Sequence, residues 1–209
     1  ASGKSGCDMP LSFDLFADDI AAVLDHLNIT EAIVGGVSSG SGVALRFAMR
    51  HPQRTRGLIV ARPVYAGADR GYTEEQRAAF SSMDRVVSRA AIEGIEALRP
   101  LYSRLPEAWR ERAWAVASQF DPANVVETSH FVASGAQPFT SSDDLRALTM
   151  PMLLVAGADP QHPAAVSRIY ADCVPDCTVI PANVTNLDDA LVAFCGRCWG
   201  ANAEAPQEP

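Results

Sequence analysis

The sequence predicts an α/β protein in which helices flank a parallel β-sheet, and two patterns lead to this prediction. Short apolar segments with the length of buried strands occur at residues 31–37, 57–61, 151–157 and 178–180. Apolar residues recur at helical spacing at residues 13–27, 39–51, 163–174 and 187–199. Strands and helices of this length that alternate along a chain are typical of a parallel sheet covered by helices.

A serine lies between the first predicted strand and the helix that follows it. The strand runs into Gly36-Val37-Ser38-Ser39-Gly40, a G-x-S-x-G pentapeptide, and a helix of small and apolar residues begins there. This context indicates a nucleophile elbow, a sharp turn that would hold the Ser38 hydroxyl at the positive end of the helix. We expect Gly36 and Gly40 to be needed because side chains there would collide in the turn. The alternative is a plain Ser/Gly loop in a dinucleotide-binding type of fold.

The middle of the chain has a different pattern, which predicts a helical cap insertion. Between residues 73 and 124 there is no strand signal, and Pro100 and Pro106 divide the helical stretches. The alternative is that these are extra helices of the core. The predicted organisation is a core at 1–70, a cap at 71–136, the rest of the core at 137–199 and a polar tail at 200–209.

Three aromatic residues in the predicted cap have two interpretations. Trp109, Trp114 and Phe120 would either line an apolar substrate pocket or anchor the cap helices. Nearer the core, Arg62 and Tyr65 follow the end of a strand and are candidates to reach a cleft at that edge.

Composition and charge exclude several classes of partner. The chain has 209 residues and a formal net charge of −8, which would repel the phosphates of nucleic acid. No apolar run approaches the roughly 20 residues that a membrane-spanning helix needs. Gly3-Lys4-Ser5 lacks the preceding strand and glycine of a phosphate-binding loop. We therefore expect a soluble, cytoplasmic protein that acts on a small molecule.

These segments together resemble the α/β-hydrolase superfamily. The elbow is followed at the usual interval by Ala44-Leu45-Arg46-Phe47-Ala48 and by Arg50-His51-Pro52-Gln53-Arg54. The segment from Phe16 to Asp25 is similar to the family's helix that precedes the elbow strand. The segment from Pro151 to Pro160 is similar to the family's strand and loop that carry the catalytic acid. The resemblance covers most of the chain, and it implies a hydrolase-like parallel sheet with a helical cap.

The resemblance implies a serine hydrolase that cleaves a small carboxylic ester or lactone through an acyl-enzyme, with no cofactor. Ser38 would be the nucleophile, and the backbone N–H of Ser39 would be one oxyanion donor. Asp159 would orient the base, although an Asp before Pro160 also suits a simple loop cap. Asp69 is a substitute acid. The further candidates for oxyanion or substrate binding are Val37, His130 and Trp109.

The catalytic base is the first departure from the family pattern. Family members usually place a histidine just before the terminal helix, but residues 180–189 contain none. A serine hydroxyl needs such a base at neutral pH. We expect His162, three residues after Asp159, to be the first replacement and His130 the second, whereas His26 and His51 are more simply surface or interface residues. The alternative for each of these two histidines is a purely structural role.

The start of the chain is the second departure. In the family, several strands and an oxyanion loop precede the point where this chain begins, so the resemblance implies that N-terminal strands are missing. The strand at 31–37 would then have an unpaired apolar edge. We expect a fragment, a homodimer or partner chain that covers this edge, or a minimal hydrolase.

These departures favour a second function. The chain would be a catalytically impaired hydrolase-like protein that binds a small ligand or a protein partner and keeps the elbow as a structural turn.

Four cysteines near the C-terminus have a spacing that resembles a zinc ribbon. Cys173, Cys177, Cys195 and Cys198 follow the pattern C-x3-C-x17-C-x2-C. The predicted topology brings them to the edge of the sheet opposite the elbow. They would form free thiols, one or two disulfides, or a structural zinc site, and Cys7 would be left as a free thiol.

Overall fold

The protein contains a four-stranded parallel β-sheet, as the sequence predicts. The computed structural model describes residues 9–103, 105, 107–183 and 186–200. The strands are β1 (Ala32–Val37), β2 (Thr55–Ala61), β3 (Met152–Val155) and β4 (Cys177–Ile180). They lie side by side in the order β1-β2-β3-β4, and all three pairs are parallel.

The described part of the chain also contains ten α-helices. In chain order they are α1 (Phe13–His26), α2 (Ser39–Arg50), α3 (Glu74–Val87), α4 (Ala90–Glu93), α5 (Arg99–Tyr102), α6 (Glu107–Ala117), α7 (Pro122–Ala133), α8 (Ser142–Arg146), α9 (Ala164–Cys173) and α10 (Leu187–Trp199). Short 3-10 helices lie at Pro52–Arg54 and Ile95–Leu98. Of the helices in the described ranges, none has the length and apolar character that crossing a membrane requires.

The chain divides into two compact units. The sheet unit consists of residues 13–72 and 137–200, and the helical unit of residues 9–12 and 73–136. The helical unit spans the stretch for which the sequence predicts a cap insertion. Its role as a cap stays a prediction.

The core of the sheet unit forms where the strands are covered by helices. β3 is buried along its whole length, which is the expected burial of an inner parallel strand. The helix α2 packs on β1 and β2 with small side chains, so it approaches the sheet closely. A Cβ atom on Gly42 would come within 2.4 Å of the ring of Tyr65. Tyr65 is fully buried and packs edge-on against Phe13 of α1, with 5.0 Å between the ring centroids.

The helical unit has a core of its own. Val87, Ala90, Leu98, Trp114 and Ala117 are buried together there, and Phe120 packs against this cluster. Trp114 and Phe120 therefore anchor helices within this unit. Trp109, by contrast, is 64% exposed on α6.

The sequence analysis does not predict the short helix α8 (Ser142–Arg146). Ser141 and Asp144 form a capping box, in which each side chain accepts a hydrogen bond from the other residue's backbone N–H. Leu145 is fully buried and anchors this short helix within the sheet unit. Residues 201–209 of the polar tail, Cys7 and Gly3-Lys4-Ser5 lie outside the described residues.

The four C-terminal cysteines are free thiols. Each is partly buried, and among the described residues they do not gather into a group that could hold a metal ion. Among the described residues the structure therefore contains neither a disulfide between these cysteines nor the ligand cluster of a zinc site. Cys198 instead packs on β2, where a Cβ on Gly57 would lie 2.6 Å from its sulfur. Burial raises the pKa of Cys177 to about 11, with a further contribution from Asp176, so this thiol stays protonated at neutral pH.

The strand β1 lies at one end of the sheet. In the described ranges it pairs only with β2, and Val37 at its carboxyl end is 63% exposed. A second copy or a partner chain at this edge stays a prediction.

Candidate active site

The carboxyl ends of three strands meet at one edge of the sheet and carry the candidate site. Val37 of β1 pairs with Ala61 of β2, which pairs with Val155 of β3. The residues that follow these positions are therefore neighbours, although they are far apart in sequence. Ser38 follows β1 and Arg62 follows β2, and the loop that contains Asp159 and His162 follows β3. This is the edge at which open α/β sheets bind ligands.

Ser38 occupies a strained turn whose backbone is fixed on both sides. Its φ and ψ angles are 56° and −123°, a region that residues other than glycine rarely adopt. Its N–H donates to the carbonyl oxygen of Ala61 over 2.9 Å. Its own carbonyl oxygen accepts from the N–H and the hydroxyl of Ser41, at 3.0 and 2.5 Å. Strand and helix together thus hold Ser38 in the conformation of a nucleophile elbow.

The two glycines of the elbow differ in what they do. A Cβ on Gly36 would lie 2.1 Å from the carbonyl oxygen of Gly40, because the first turn of α2 sits directly on this strand position. A Cβ on Gly40 would meet nothing within 4 Å. The expectation that both glycines prevent collisions is therefore correct for Gly36 and wrong for Gly40, whose missing side chain would point away from the turn.

This difference gives a matched pair of variants. We expect Gly36→Ala to lower the free energy of unfolding by about 3 kcal/mol or more, since the clash is with backbone that cannot yield. Gly40→Ala should be neutral or stabilise by up to about 1 kcal/mol, because alanine is the better residue inside a helix. Urea denaturation of both variants measures this, and equal losses would contradict the described elbow.

The loop after β3 folds back on itself and brings His162 next to Asp159. The backbones of these two residues bond to each other in both directions, at 3.3 and 3.0 Å. The Asp159 carboxylate also accepts from the N–H groups of Gln161 and His162, both at 3.0 Å. Gly157 permits this return, because a Cβ there would lie 2.3 Å from the carbonyl oxygen of His162.

Ser38, His162 and Asp159 form a continuous chain of hydrogen bonds. The distance from Ser38 Oγ to His162 Nε2 is 2.8 Å. On the other side of the ring, His162 Nδ1 lies 2.8 Å from Asp159 Oδ1 and 3.0 Å from Oδ2. A carboxylate only accepts, so Nδ1 carries the proton, and Nε2 is left to accept from the serine hydroxyl. The structure thus brings together the three residues that the sequence selects as nucleophile, base and acid.

The protonation states suit this arrangement. Burial lowers the pKa of His162 below its ordinary 6.5, and this outweighs the opposing effect of Asp159. The imidazole is therefore neutral at pH 7. Burial raises the pKa of Asp159, but the hydrogen bond and charge of His162, together with the bond from Arg62, bring it below its ordinary 3.8. The site thus holds a neutral imidazole beside an ionised carboxylate.

Arg62 contacts this site, which the sequence could not show. Its Nη2 donates to Asp159 Oδ2 in an ion pair. The sequence placed Arg62 at a strand end but gave no direction for its side chain. The one available signal was an arginine directly after a buried strand, which is also common at ordinary surfaces. The bond from Ser41 to the carbonyl oxygen of Ser38 was likewise missed.

The remaining candidates are placed as follows. The N–H of Ser39 lies in the first turn of α2, where backbone N–H groups have no acceptor within the helix. Val37 presents a largely exposed side chain. In the helical unit, His130 Nε2 lies 3.1 Å from Ser88 Oγ and 3.6 Å from Asp84 Oδ2. The nitrogen that a second base would use is therefore engaged within that unit. Asp69 lies beside Gly67, whereas the acid bonded to His162 is Asp159.

Comparison with known proteins gives a consistent picture. A model of the Ndr family matches residues 4–91, the part of the chain that contains α1, β1 and the elbow. The chain is 27% identical over 216 aligned residues to "Putative carbamate hydrolase RutD" of Azorhizobium caulinodans. This alignment covers 94% of the chain and 78% of that relative.

Solved structures agree with the fold. A thermophilic esterase from Thermogutta terrifontis superposes with a TM-score of 0.71 at 22% identity, over 94% of this chain and 77% of that chain. A carboxylesterase of the thaumarchaeon Nitrososphaera gargenis superposes with a TM-score of 0.74 at 18% identity, over 94% and 75% of the two chains. With its parallel sheet flanked by helices and these structural likenesses, the chain has the α/β-hydrolase fold.

Proposed function

We propose that this protein is a serine hydrolase that cleaves a small carboxylic ester or lactone through an acyl-enzyme on Ser38. The observation that carries the proposal is the hydrogen-bond chain from Ser38 Oγ through His162 to Asp159, with both contacts at 2.8 Å. A serine, a neutral imidazole and an ionised carboxylate in this order are the parts of a nucleophilic triad.

In the first half of the reaction, His162 Nε2 takes the hydroxyl proton as Ser38 Oγ bonds to the acyl carbon. The negative charge that develops on the carbonyl oxygen is directed at the N–H of Ser39, at the positive end of α2. Asp159 stabilises the imidazolium without taking its proton. That proton then passes to the departing alkoxide, the bond from the acyl carbon to the alcohol oxygen breaks, and the acyl group stays on Ser38.

In the second half, water replaces the alcohol. His162 takes a proton from the water as its oxygen attacks the acyl carbon, and the same nitrogen returns a proton to Ser38 Oγ as the acid leaves. The products are one carboxylic acid and one alcohol, or one hydroxy acid from a lactone. A net charge of −8 favours neutral or cationic substrates over anionic ones.

The experiment that tests this proposal combines labelling and turnover. The purified chain is incubated with a fluorophosphonate, its intact mass is measured, and the adduct is located by peptide mapping. We expect one adduct per chain on the peptide that contains Ser38, together with hydrolysis of short p-nitrophenyl esters. A folded chain that acquires no adduct and hydrolyses none of these esters would refute the proposal.

A second candidate is a hydrolase-like protein without catalytic activity that binds a small ligand or a protein partner. Two observations favour it: residues 180–189 lack the usual histidine, and members of the Ndr family, whose model matches the elbow, are often non-catalytic. The same labelling experiment separates the candidates, because a binding protein has no need of an activated serine.

A further inference from the structure

Arg62 has a backbone conformation that its side chain does not favour. Only three residues other than glycine have positive φ in the described ranges: Asn28 at 55°, Ser38 at 56° and Arg62 at 51°. Asparagine tolerates this region, but for most side chains it costs about 1–2 kcal/mol. Ser38 and Arg62 follow the paired strand ends of β1 and β2, so both strained residues lie at the candidate site.

The strained conformation directs Arg62 towards the neighbouring strand. Its N–H donates to the carbonyl oxygen of Val155 at the end of β3, over 2.8 Å, which anchors the backbone. From there the side chain reaches the loop after β3 and pairs with Asp159 Oδ2. The strain is thus held by one backbone bond and one ion pair to the same part of the fold.

Arg62 bonds to Oδ2 of Asp159, whereas the donors of the carboxylate's own loop lie mainly against Oδ1. Oδ1 accepts from Nδ1 and the N–H of His162 and from the N–H of Gln161, all at 2.8–3.0 Å. These donors lie within three residues of Asp159 on its own loop. Arg62 reaches this carboxylate from the end of another strand and donates to Oδ2, the oxygen that lies 3.0 Å from His162 Nδ1. With both oxygens bonded, the carboxylate plane cannot rotate away from the imidazole.

We infer that Arg62 is a positioning residue of the triad, which orients Asp159 and, through it, the base His162. The inference rests on the proposed function. Arg62 is not proposed to contact the substrate. Its contribution is to keep the Asp159 carboxylate aligned with Nδ1 while the proton moves at Nε2, so that the imidazole keeps both its tautomer and its direction.

The charge of Arg62 also shifts the pKa of His162, in a direction that can be measured. The charged and titratable groups against His162 are Asp159 and Arg62, and the hydroxyl of Ser38 faces Nε2. Asp159 favours the imidazolium, whereas Arg62 disfavours it and so lowers the pKa of His162. Removing Arg62 also frees Asp159 to interact more strongly with His162. Both changes raise the pKa of His162, so the base would become neutral only at higher pH.

Stability alone would not distinguish this role from that of an ordinary surface ion pair. The side chain of Arg62 is 50% exposed and that of Asp159 is 32% exposed, and such pairs contribute about 0–1 kcal/mol to folding. A positioning role instead changes the rate of serine modification and its dependence on pH. These are the quantities to measure.

The test compares Arg62→Met with Arg62→Lys and with the control Arg56→Met. Arg56 lies near the start of β2, the strand that Arg62 follows, and pairs with Glu31, so its variant also loses a partly exposed ion pair. The second-order rate of fluorophosphonate labelling is measured from pH 5 to 9, with the melting temperature of each variant. We expect Arg62→Met to lower the plateau rate about tenfold, which is part of the rate that a well-placed base contributes. We also expect the pH at which the labelling rate falls to half of its plateau to move to a higher value.

The other variants are expected to separate charge from orientation. Arg62→Lys keeps the charge but loses the planar fork, so its midpoint should stay near that of the unmodified protein while its plateau rate falls. Arg56→Met should leave both unchanged. In an Asp159→Asn background, adding Arg62→Met should lower the plateau rate no further, because the residue through which Arg62 acts is already lost.

The titration of His162, followed by NMR in the unmodified protein and in Arg62→Met, keeps the two proposals distinguishable. A shifted titration in a protein that never reacts with the probe would refute the proposed function and leave Arg62 as an orienting residue. Normal labelling of Arg62→Met, with unchanged plateau and midpoint, would overturn the inference while the proposed function stands. Additive losses in the Asp159→Asn background would also overturn it.

Discussion

Replacing Ser38 with alanine is expected to abolish covalent labelling and to lower ester hydrolysis on the order of a thousandfold or more. The reason is chemical: Oγ is the atom that bonds to the acyl carbon, and no other hydroxyl occupies its position 2.8 Å from His162 Nε2 in the described residues. Intact mass after exposure to a fluorophosphonate, with initial rates on p-nitrophenyl acetate, measures both effects.

The control for this experiment is the adjacent serine. Ser39→Ala removes a hydroxyl of the same pentapeptide but keeps the backbone N–H proposed to bind the oxyanion. We expect it to label at nearly the normal rate. Since Ser38 lies at a φ of 56°, alanine there retains the strain, and the melting temperature should be compared. Labelling of Ser38→Ala at an undiminished rate would mean that another residue is the nucleophile.

The elbow could be predicted from sequence because its determinants are local. Its three parts lie within about twenty consecutive positions: an apolar strand, a glycine on which the helix packs, and a helix of small residues. Each part follows from side-chain size and periodicity. The same local reasoning was wrong for Gly40, where a Cβ would meet nothing within 4 Å. Sequence pattern shows that a turn is sharp, but only the coordinates show which atoms approach each other.

The helix α8 was missed although a local signal for it existed. Ser141 and Asp144 have the spacing of a capping box, but the surrounding polar residues are also typical of a loop. The helix is only five residues long, and its stability depends on burying Leu145 against the sheet unit. Tertiary contacts of this kind override local propensity and are not readable from one sequence.

The proposed base could be suggested from sequence, but its position in the site could not. His162 was favoured because it follows the expected acid, yet three residues of separation do not say whether the ring turns towards Ser38. The direction of the ring depends on how the loop folds back over Gly157. It also depends on the strand register, which places the carboxyl ends of β1, β2 and β3 side by side. The role proposed for Arg62 could be inferred only from the coordinates, because nothing in the sequence indicates that an arginine has a positive φ.

Replacing His162 with alanine should remove labelling almost as completely as the loss of Ser38. Without the imidazole no group takes the proton of Ser38 Oγ, so the hydroxyl reverts to a poor nucleophile. In the unmodified protein the active form is the neutral imidazole, whose pKa is lowered below 6.5 by burial. The labelling rate should therefore be on its plateau at pH 7 and fall as the pH drops, with a midpoint below 6.5.

Three comparisons make the assignment of the base specific. His26→Ala, at an exposed position at the end of α1, should leave the rate and its pH midpoint unchanged. Added imidazole should restore part of the labelling of His162→Ala, because only 7% of His162 is exposed and its removal leaves a cavity of matching shape beside Ser38. If His130→Ala lost labelling while His162→Ala kept it, the base would have to come from the helical unit, and the short contact between His162 and Ser38 would have only a structural role.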